Sequence, residues 1–488
     1  MSSSAAFHQL SDDGSETPQA PWEVVRWTKL KKITSQVFSE IGKRNFGRPT
    51  CLNVTVSLAI GTSKGFILIF DYQQVLKSII GPGTKAVECG SITSLAIAAD
   101  HSTIAGGHAT GHIFTWELAK PAKPFLHIPP LERANLEDHK SDGHVSGVAI
   151  LHLGFLGTRH TALVSADDAG MAFSHLATRG LGAIARTVKT TRILGRYPTS
   201  AKSLEKPRKP SSVLAFAPLP LGNVEQPTDS MGLTALLTPY LLVIVSTTPI
   251  AQTQHKAPRP KDVEAHSALS GCLAWFPAVK LKTATGPGNA VSKTKLVYCW
   301  SNVLTILEVD HILPPPSERE KPTELHFRPR SRWKAEEAIV AVQWLSRSVL
   351  SVLTISQRLM ILEDNTLRVT DSFDLLQKHI YHSDLFSRQL KPAIEHLDEE
   401  DPSLHGVVSD AFYMSFRAYK GRLFLLGFND CSIGTLSNWA DRLLALMEDG
   451  DYIAAIGLAT SYYVGDADKL TVGLPEDDKA RHVRHLLR

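Results

Sequence analysis

IGTSKGFILIFD, from Ile60 to Asp71, sets the reading of this chain: a turn of small residues ends in Gly65, and an alternating apolar run then closes on an acid. The pattern returns as GGHATGHIFTWE (Gly106–Glu117), VSADDAGMAFSH (Val164–His175) and LGFNDCSIGTLS (Leu426–Ser437). Gly65 and Gly111 lie 46 positions apart, and Gly170 follows after a further 59. One hairpin recurring at just over about 40 to 45 residues is the mark of a β-propeller blade. Such rings dock partners more often than they do chemistry, so fold and function have to be argued separately.

Outward from these hairpins, strand-like segments fall into seven groups bounded by turn residues. They run over Thr50–Tyr72, Ser91–Leu118 and Val145–Leu176, then a discontinuous pair (SSVLAFAPLP from Ser211 and PYLLVIVST from Pro239). GCLAWFP (Gly271–Pro277) with LVYCWSNVLTILEVD (Leu296–Asp310), then Ala338–Asp364, then Ala411–Leu436 complete the set. The expected fold is mainly β: a seven-bladed WD40-like β-propeller followed by the first helices of an α-solenoid. VVRWTKLKKITSQVF (Val24–Phe38) is expected to supply a strand that clasps the last blade and hides a sheet edge. From Asn438 the apolar period changes to i, i+3, i+4 (Trp439, Leu443, Leu444, Met447, then Ile453, Ile456), split by EDGDY, which predicts a helical hairpin. A further helix is expected from about Pro475 into KARHVRHLLR, and the chain reads as a piece of a longer protein that stops just inside a solenoid. The expected domains are a disordered lead-in over residues 1–21, the propeller over 22–437 and the solenoid start over 438–488.

Pro- and charge-rich insertions are expected between Lys120 and Gly143, Lys202 and Pro210, His255 and Ala265, Pro314 and Lys334, and His396 and Gly406. Most should be solvated spacers, while their basic stretches suit an anionic membrane or acidic partner. The 52 basic and 48 acidic residues leave a net charge of +4 over 488 residues, so no global field favours nucleic acid. The five cysteines are scattered through the sequence without a C-x-x-C pair, which suits a reducing cytosol. The N-terminus has neither the basic region nor the apolar core of a signal peptide. Leu233–Ala251 carries no charge, but Pro239 and Pro249 divide it and its β-branched residues favour a buried strand over a membrane span.

Catalytic signals are weighed against plainer readings. Gly61-Thr62-Ser63-Lys64-Gly65 matches the G-x-S-x-G elbow of hydrolases, yet a strand follows where a helix should, so a hairpin turn is the better account. Ser203-Leu204-Glu205-Lys206 matches S-x-x-K inside a Pro- and Lys-rich loop with nothing to hold it. Gly81–Lys85 lacks the spacing of a phosphate loop. Asp167 and Asp168 are assigned to a hairpin turn, and the 20 histidines, His144 among them, to structural or solvated roles. No catalytic residue, metal or cofactor is expected.

FGRPTCLNVTVSLAIGTSKGFILIFDY (Phe46–Tyr72), ITSLAIAADHSTIAGGHATGHIFTWELAKPAKP (Ile92–Pro124) and HTALVSADDAGMAFSH (His160–His175) carry a family resemblance. With RILGRYP (Arg192–Pro198) and WADRLLALMEDGDYIAAIGLATSYYVG (Trp439–Gly465), they resemble the vacuolar protein sorting-associated protein 8 family of subunits of the endosomal tethering complex CORVET. The middle, about Thr199–Asp410, resembles it only in strand rhythm. The resemblance implies a non-enzymatic tether whose propeller end binds an early-endosomal Rab GTPase in its GTP form, supporting endosome fusion and transport to the vacuole or lysosome. It implies core CORVET subunits as further partners through the solenoid, no nucleic acid, and a cytoplasmic protein peripheral on endosomes. The family's RING-type zinc module would lie beyond this chain, and no GTPase-contact motif transfers by matching. Candidate partner-binding residues are Trp439 and Arg442, at the expected propeller–solenoid junction. The competing class is a coat-type or ubiquitin-ligase scaffold that reads peptides in the central channel, which an aromatic- and Arg-lined channel mouth would favour; a propeller hydrolase would need convergent catalytic residues that the sequence lacks.

Overall fold

The computed structural model describes residues 25–132, 142–157, 159–179, 186–197, 212–263, 271–281, 291–312, 324–375, 415–427 and 429–464. The lead-in, the Lys202–Pro210 and His396–Gly406 insertions, Ser203, Lys206 and the helix expected from Pro475 lie outside them. β1 (Val25–Lys29) belongs to the last blade. Blade 1 comprises β2 (Pro49–Val54), β3 (Leu58–Thr62), β4 (Ile67–Phe70) and β5 (Leu76–Ile80). Blade 2 comprises β6 (Ile92–Ile97), β7 (Thr103–His108), β8 (Ile113–Glu117) and β9 (Leu126–Ile128). Blade 3 comprises β10 (Ile150–Leu156), β11 (Arg159–Asp167), β12 (Ala172–Arg179) and β13 (Arg186–Leu194). Blade 4 comprises β14 (Ala215–Pro218), β15 (Leu233–Leu237), β16 (Leu241–Ser246) and β17 (Gln252–Pro258). Blade 5 comprises β18 (Gly271–Phe276), β19 (Thr294–Trp300), β20 (Val303–Ile312) and β21 (Glu324–Lys334). Blade 6 comprises β22 (Ile339–Ser346), β23 (Val349–Thr354), β24 (Arg358–Glu363) and β25 (Val369–Asp374). Blade 7 orders β1 beside β28 (Cys431–Leu436), then β27 (Arg422–Leu426) and β26 (Phe416–Tyr419). The seven expected blades and the clasping strand are both present.

Each blade is sandwiched between two others, so its middle strands are buried on both faces and read as continuous apolar runs; β7, β19 and β23 are buried at every position. The outermost strands face solvent on one side and alternate instead, as β5, β21 and β25 do. Three stretches read as insertions are corrected on this ground. β9 lies within Lys120–Gly143, His255–Pro258 is half of β17, and Glu324–Lys334 is the whole of the eleven-residue β21. The charge that suggested a loop is the solvent face of a strand whose partner, β20, satisfies its backbone. Leu233–Ala251 is likewise a hairpin, β15 with β16, and no helix among the described residues is long and apolar enough to cross a membrane.

Side chains on the innermost strands tie neighbouring blades through backbone carbonyls. Asn53 Nδ2 donates to Leu95 O (3.0 Å), Ser94 Oγ to Ile150 O (2.8 Å) and His152 Nε2 to Val213 O (3.1 Å). The Trp275 and Trp344 indoles reach back from blades 5 and 6 to Ala217 O (3.0 Å) and Ala274 O (3.1 Å), and Arg417 Nε closes the circle from blade 7 to Leu52 O (3.1 Å). A fully buried donor left unpaired costs about 1–3 kcal/mol, and a partly buried one less, so the links favour one relative placement of the blades.

VVRWTKLKKITSQVF is strand only to Lys29. α1 (Lys31–Val37) and α2 (Glu40–Phe46) follow, capped by Ser39, whose side chain accepts from Gly42 N. Ile33 and Val37, at helical i, i+4 spacing, join Leu52, Phe70, Phe424 and Leu426 in the core between blades 1 and 7. Helix is chosen because the apolar pair must face one side. The chain divides into two compact units, Trp27–Thr435 and the remainder. The described helices of the second are α3 (Trp439–Glu448) and α4 (Tyr452–Val464), the expected hairpin.

The repeated turn glycines have a common cause. Gly65, Gly111 and Gly170 all adopt positive φ (80°, 93° and 74°), where a Cβ is strained. A Cβ on Gly65 would also stand 2.9 Å from Gly90 O, and one on Gly111 2.9 Å from Val145 O, because each turn is pressed by the chain entering the next blade. The fourth copy departs from this: Gly434 lies inside β28 and closes no turn. Gly83 has φ 70° with open space around it. Urea unfolding should therefore show Gly111→Ala losing about 2–3 kcal/mol and Gly83→Ala only about 1 kcal/mol; equal losses would mean that backbone strain alone sets the requirement.

Candidate functional site

The most catalytic-looking constellation lies in blade 3, where the chain before β10 folds His144 over the β11–β12 turn. His144 Nδ1 lies 2.7 Å from Asp167 Oδ2 and its Nε2 lies 2.6 Å from Ser165 Oγ, the order of a Ser-His-Asp triad. The row continues: Ser165 Oγ is 2.7 Å from His175 Nε2, and His175 Nδ1 is 2.9 Å from Thr190 Oγ1. With Asp167 ionised, His144 Nδ1–H donates to it, so Nε2 accepts from Ser165; that hydroxyl accepts from His175 Nε2–H, leaving Nδ1 to accept from Thr190. Burial holds the pKa of His175 well below the ordinary imidazole value, consistent with a neutral ring.

Geometry gives this row a structural task. Ser165 is fully buried, with Asp167 at 1% and His144 at 2% exposure, so a substrate carbonyl has no approach to the hydroxyl. Asp167 Oδ1 accepts from Ala169 N (3.0 Å) and Met171 N (2.9 Å), which holds the turn as expected for that residue. Phe173 packs edge-on against the His144 ring at 4.6 Å. The network was missed in the sequence because His144 stands 21 residues from Ser165; the signal available was an Asp two residues after a buried Ser, inside a repeated turn. Ser63 sits in the β3–β4 turn and its Oγ accepts from Arg48 N at 2.9 Å, as a hairpin requires.

Trp439 and Arg442 are inside. Trp439 is 7% exposed and Arg442 is fully buried, its Nη1 donating to Tyr462 OH at 3.0 Å. Trp439 packs with Leu443, Leu446, Ala455, Ala459 and Tyr462 in the hairpin core. The expectation that these two present a binding surface is corrected by that burial: an amphipathic helix turns its Trp inward. The exposed apolar positions of the hairpin include Leu444, Met447, Ile453 and Ile456, the last two 87% and 65% exposed.

Among the described residues no three His, Cys, Asp or Glu side chains form a group that could hold a metal. Cys272 and Cys299, distant in sequence, face each other across β18 and β19 as free thiols. A cleft of about 550 Å³ between blades 3 and 4 is lined by Arg159, His175, Asn223, Glu225, Asp229 and Thr247 among others. Inside the ring, a cavity of about 190 Å³ is walled by Phe216, Trp275, Gln343, Phe416 and Arg417. Aromatic and Arg side chains thus line the channel. Trp275 and Arg417 are committed to neighbouring blades, and the volume is below the roughly 300 Å³ of typical ligand sites.

The family model described as Vps8 beta-propeller matches residues 23–435. The chain belongs to the Vps8 β-propeller family. The vacuolar protein sorting-associated protein 8 homologs of Mus musculus and Homo sapiens are each 24% identical to it, over 461 and 463 residues, covering 94% of this chain and 29% of theirs. Vacuolar protein sorting-associated protein 8 of Saccharomyces cerevisiae is 23% identical over 478 residues, covering 93% of this chain and 31% of its own length. The chain therefore spans less than a third of the curated relatives it matches.

Two measurements test the buried polar side chains of this Vps8-family propeller. Ser165→Ala leaves two imidazole nitrogens facing each other without the hydroxyl between them and should lower urea stability by about 1–3 kcal/mol; an unchanged midpoint would deny the network its role. Burial holds His108 and His152 at about 4, against an ordinary 6.5. The unfolded chain then binds more protons, so this stability is complete above pH 6.5 and is lost as pH falls toward 4, at about 3 kcal/mol per group. Urea midpoints between pH 7.5 and 4.5 should fall accordingly, and His152→Gln should flatten the slope.

Proposed function

We propose that this chain is the recognition end of an endosomal tether, binding an early-endosomal Rab GTPase in its GTP form. The observation that carries the reading is membership of the Vps8 family across residues 23–435. The architecture supports it: a closed ring offers a broad rigid surface, and GTPase docking needs area, about 1,200–2,000 Å² in total, and no deep cleft. The chain acts without catalysis in this reading. The propeller over 22–437 carries the contact, and the solenoid from 438 onward joins the core subunits of the tether, CORVET, on the cytosolic face of endosomes. The open side of α3–α4, with Leu444, Ile453 and Ile456, suits stacking of further helices. Trp439 and Arg442 serve it by fixing the hairpin, not by touching the GTPase.

The aromatic and Arg lining of the channel favours a second reading, a scaffold that grips a peptide motif. Its small volume and committed donors weigh against that. Immobilised early-endosomal Rab, loaded with GTP or GDP, separates the two. Retention of this chain on the GTP form alone is expected; equal retention on both forms, or none, overturns the tether reading.

A further inference from the structure

The helical segment between the clasp strand and blade 1 reaches one end of that blade together with two loops. β3 ends at Thr62 and β4 starts at Ile67, so Ser63–Phe66 turns there. β5 returns to the same end, and Gly81 follows so closely that an added Cβ would lie 3.0 Å from Gly65 O. α2 is anchored to this turn: Arg48 N donates to Ser63 Oγ, and Lys64 Nζ donates to Arg44 O at 2.6 Å. Phe46 and Phe66 pack edge to face at 6.5 Å beneath.

The segments that meet at this end, residues 40–48, 63–66 and 81–90, carry Lys43, Arg44, Arg48, Lys64 and Lys85 against two carboxylates, Glu40 and Glu88. Glu40 is taken by Lys43 at 3.2 Å, whereas Arg44, Lys64 and Lys85 make no ion pair with any described residue. Ile41 is 74% exposed, and at i, i+3 spacing it shares a helix face with Arg44. Blade 5 gives the contrast. Its basic strand β21 is richer in Arg, but Arg328 is paired with Asp310, Arg330 with Glu308 and Asp364, and Arg332 with Asp262. Those cations are already neutralised by described carboxylates; Arg44, Lys64 and Lys85 are not.

We propose that the α2 end of blade 1 rests on an anionic lipid bilayer, with Ile41 entering the headgroup boundary and Arg44, Lys64 and Lys85 meeting lipid phosphates. Interfacial binding combines one projecting apolar group with several cations near the surface, each cation worth roughly fivefold in partitioning. A bilayer takes up a lone projecting isoleucine without the matching pocket that an acidic protein would have to supply, and single-stranded nucleic acid would want free aromatic platforms, whereas Phe46 and Phe66 are packed edge to face against each other. The contact is independent of GTPase recognition, so vesicles free of protein test it alone.

The test is co-sedimentation of the whole chain with phosphatidylcholine vesicles, with and without about 30% phosphatidylserine. Binding to the anionic vesicles only is expected, falling with salt. Arg44→Gln with Lys64→Gln and Lys85→Gln should weaken it on the order of 100-fold, Ile41→Ser should weaken it severalfold, and Arg328→Gln with Arg332→Gln should leave it unchanged. Circular dichroism melts of each variant show that folding is retained. The proposal is overturned if the wild-type chain stays in the supernatant, if the triple variant sediments like wild type, if Ile41→Ser has no effect, or if the blade 5 variant is impaired as much as the triple one.

Discussion

The structure depends on a ring of side-chain donors reaching the backbone of a neighbouring blade. A blade alone is a four-stranded sheet with apolar residues on both faces, and it is stable only when both faces are covered. Covering them is non-directional, since apolar surface accepts many placements. The donors of Asn53, Ser94, His152, Trp275, Trp344 and Arg417 are directional, and each would lose its carbonyl if its blade slid against the next. Burial drives the ring together, and these polar links select its register. The same division of labour explains why the channel's Arg and Trp side chains have little left to offer a ligand.

The Asp167–His144–Ser165 row shows how the same three side chains take opposite meanings in different surroundings. In an open site such an order activates a hydroxyl. Here the hydroxyl is sealed between two imidazoles, and every polar atom that could do chemistry is spent holding a turn and its neighbouring strand. The cost of burying these groups is offset only while the whole row stays hydrogen bonded, which makes it a device for specifying blade 3.

The inner three strands were legible in most blades because they are buried and apolar, but in blade 4 only two were: β15 lies in the stretch read as a loop between the segments from Ser211 and Pro239. Apart from the clasping strand β1, the outer strands were not: VTDSFD and ELHFRPRSRWK carry as much charge as a loop, and their strand character comes from a partner whose backbone is already in place. The helix α1 was hidden for a related reason, since Ile33, Thr34 and Val37 favour strand locally while the gap between blades 1 and 7 demands a single apolar face. The helical hairpin was legible from its period, but the side chains that period makes conspicuous, Trp439 above all, are the ones it buries. Partner surfaces are made of exposed residues such as Ile41 and Arg44, which carry no periodic signal and become visible only when the fold shows which charges are left unpaired.

The clasp of β1 on β28 has a consequence for synthesis. Leu30 N donates to Cys431 O, and Cys431 N to Thr34 Oγ1, across 397 residues in the second case. Every other blade closes on a local hairpin, but this one must wait for the chain to return. At about 5–20 residues per second, the N-terminal strand leaves the ribosome roughly 20 to 80 seconds before its partner exists. During that interval the nascent chain carries an open strand edge and a half-covered apolar layer at its leading end, the combination that invites wrong pairing.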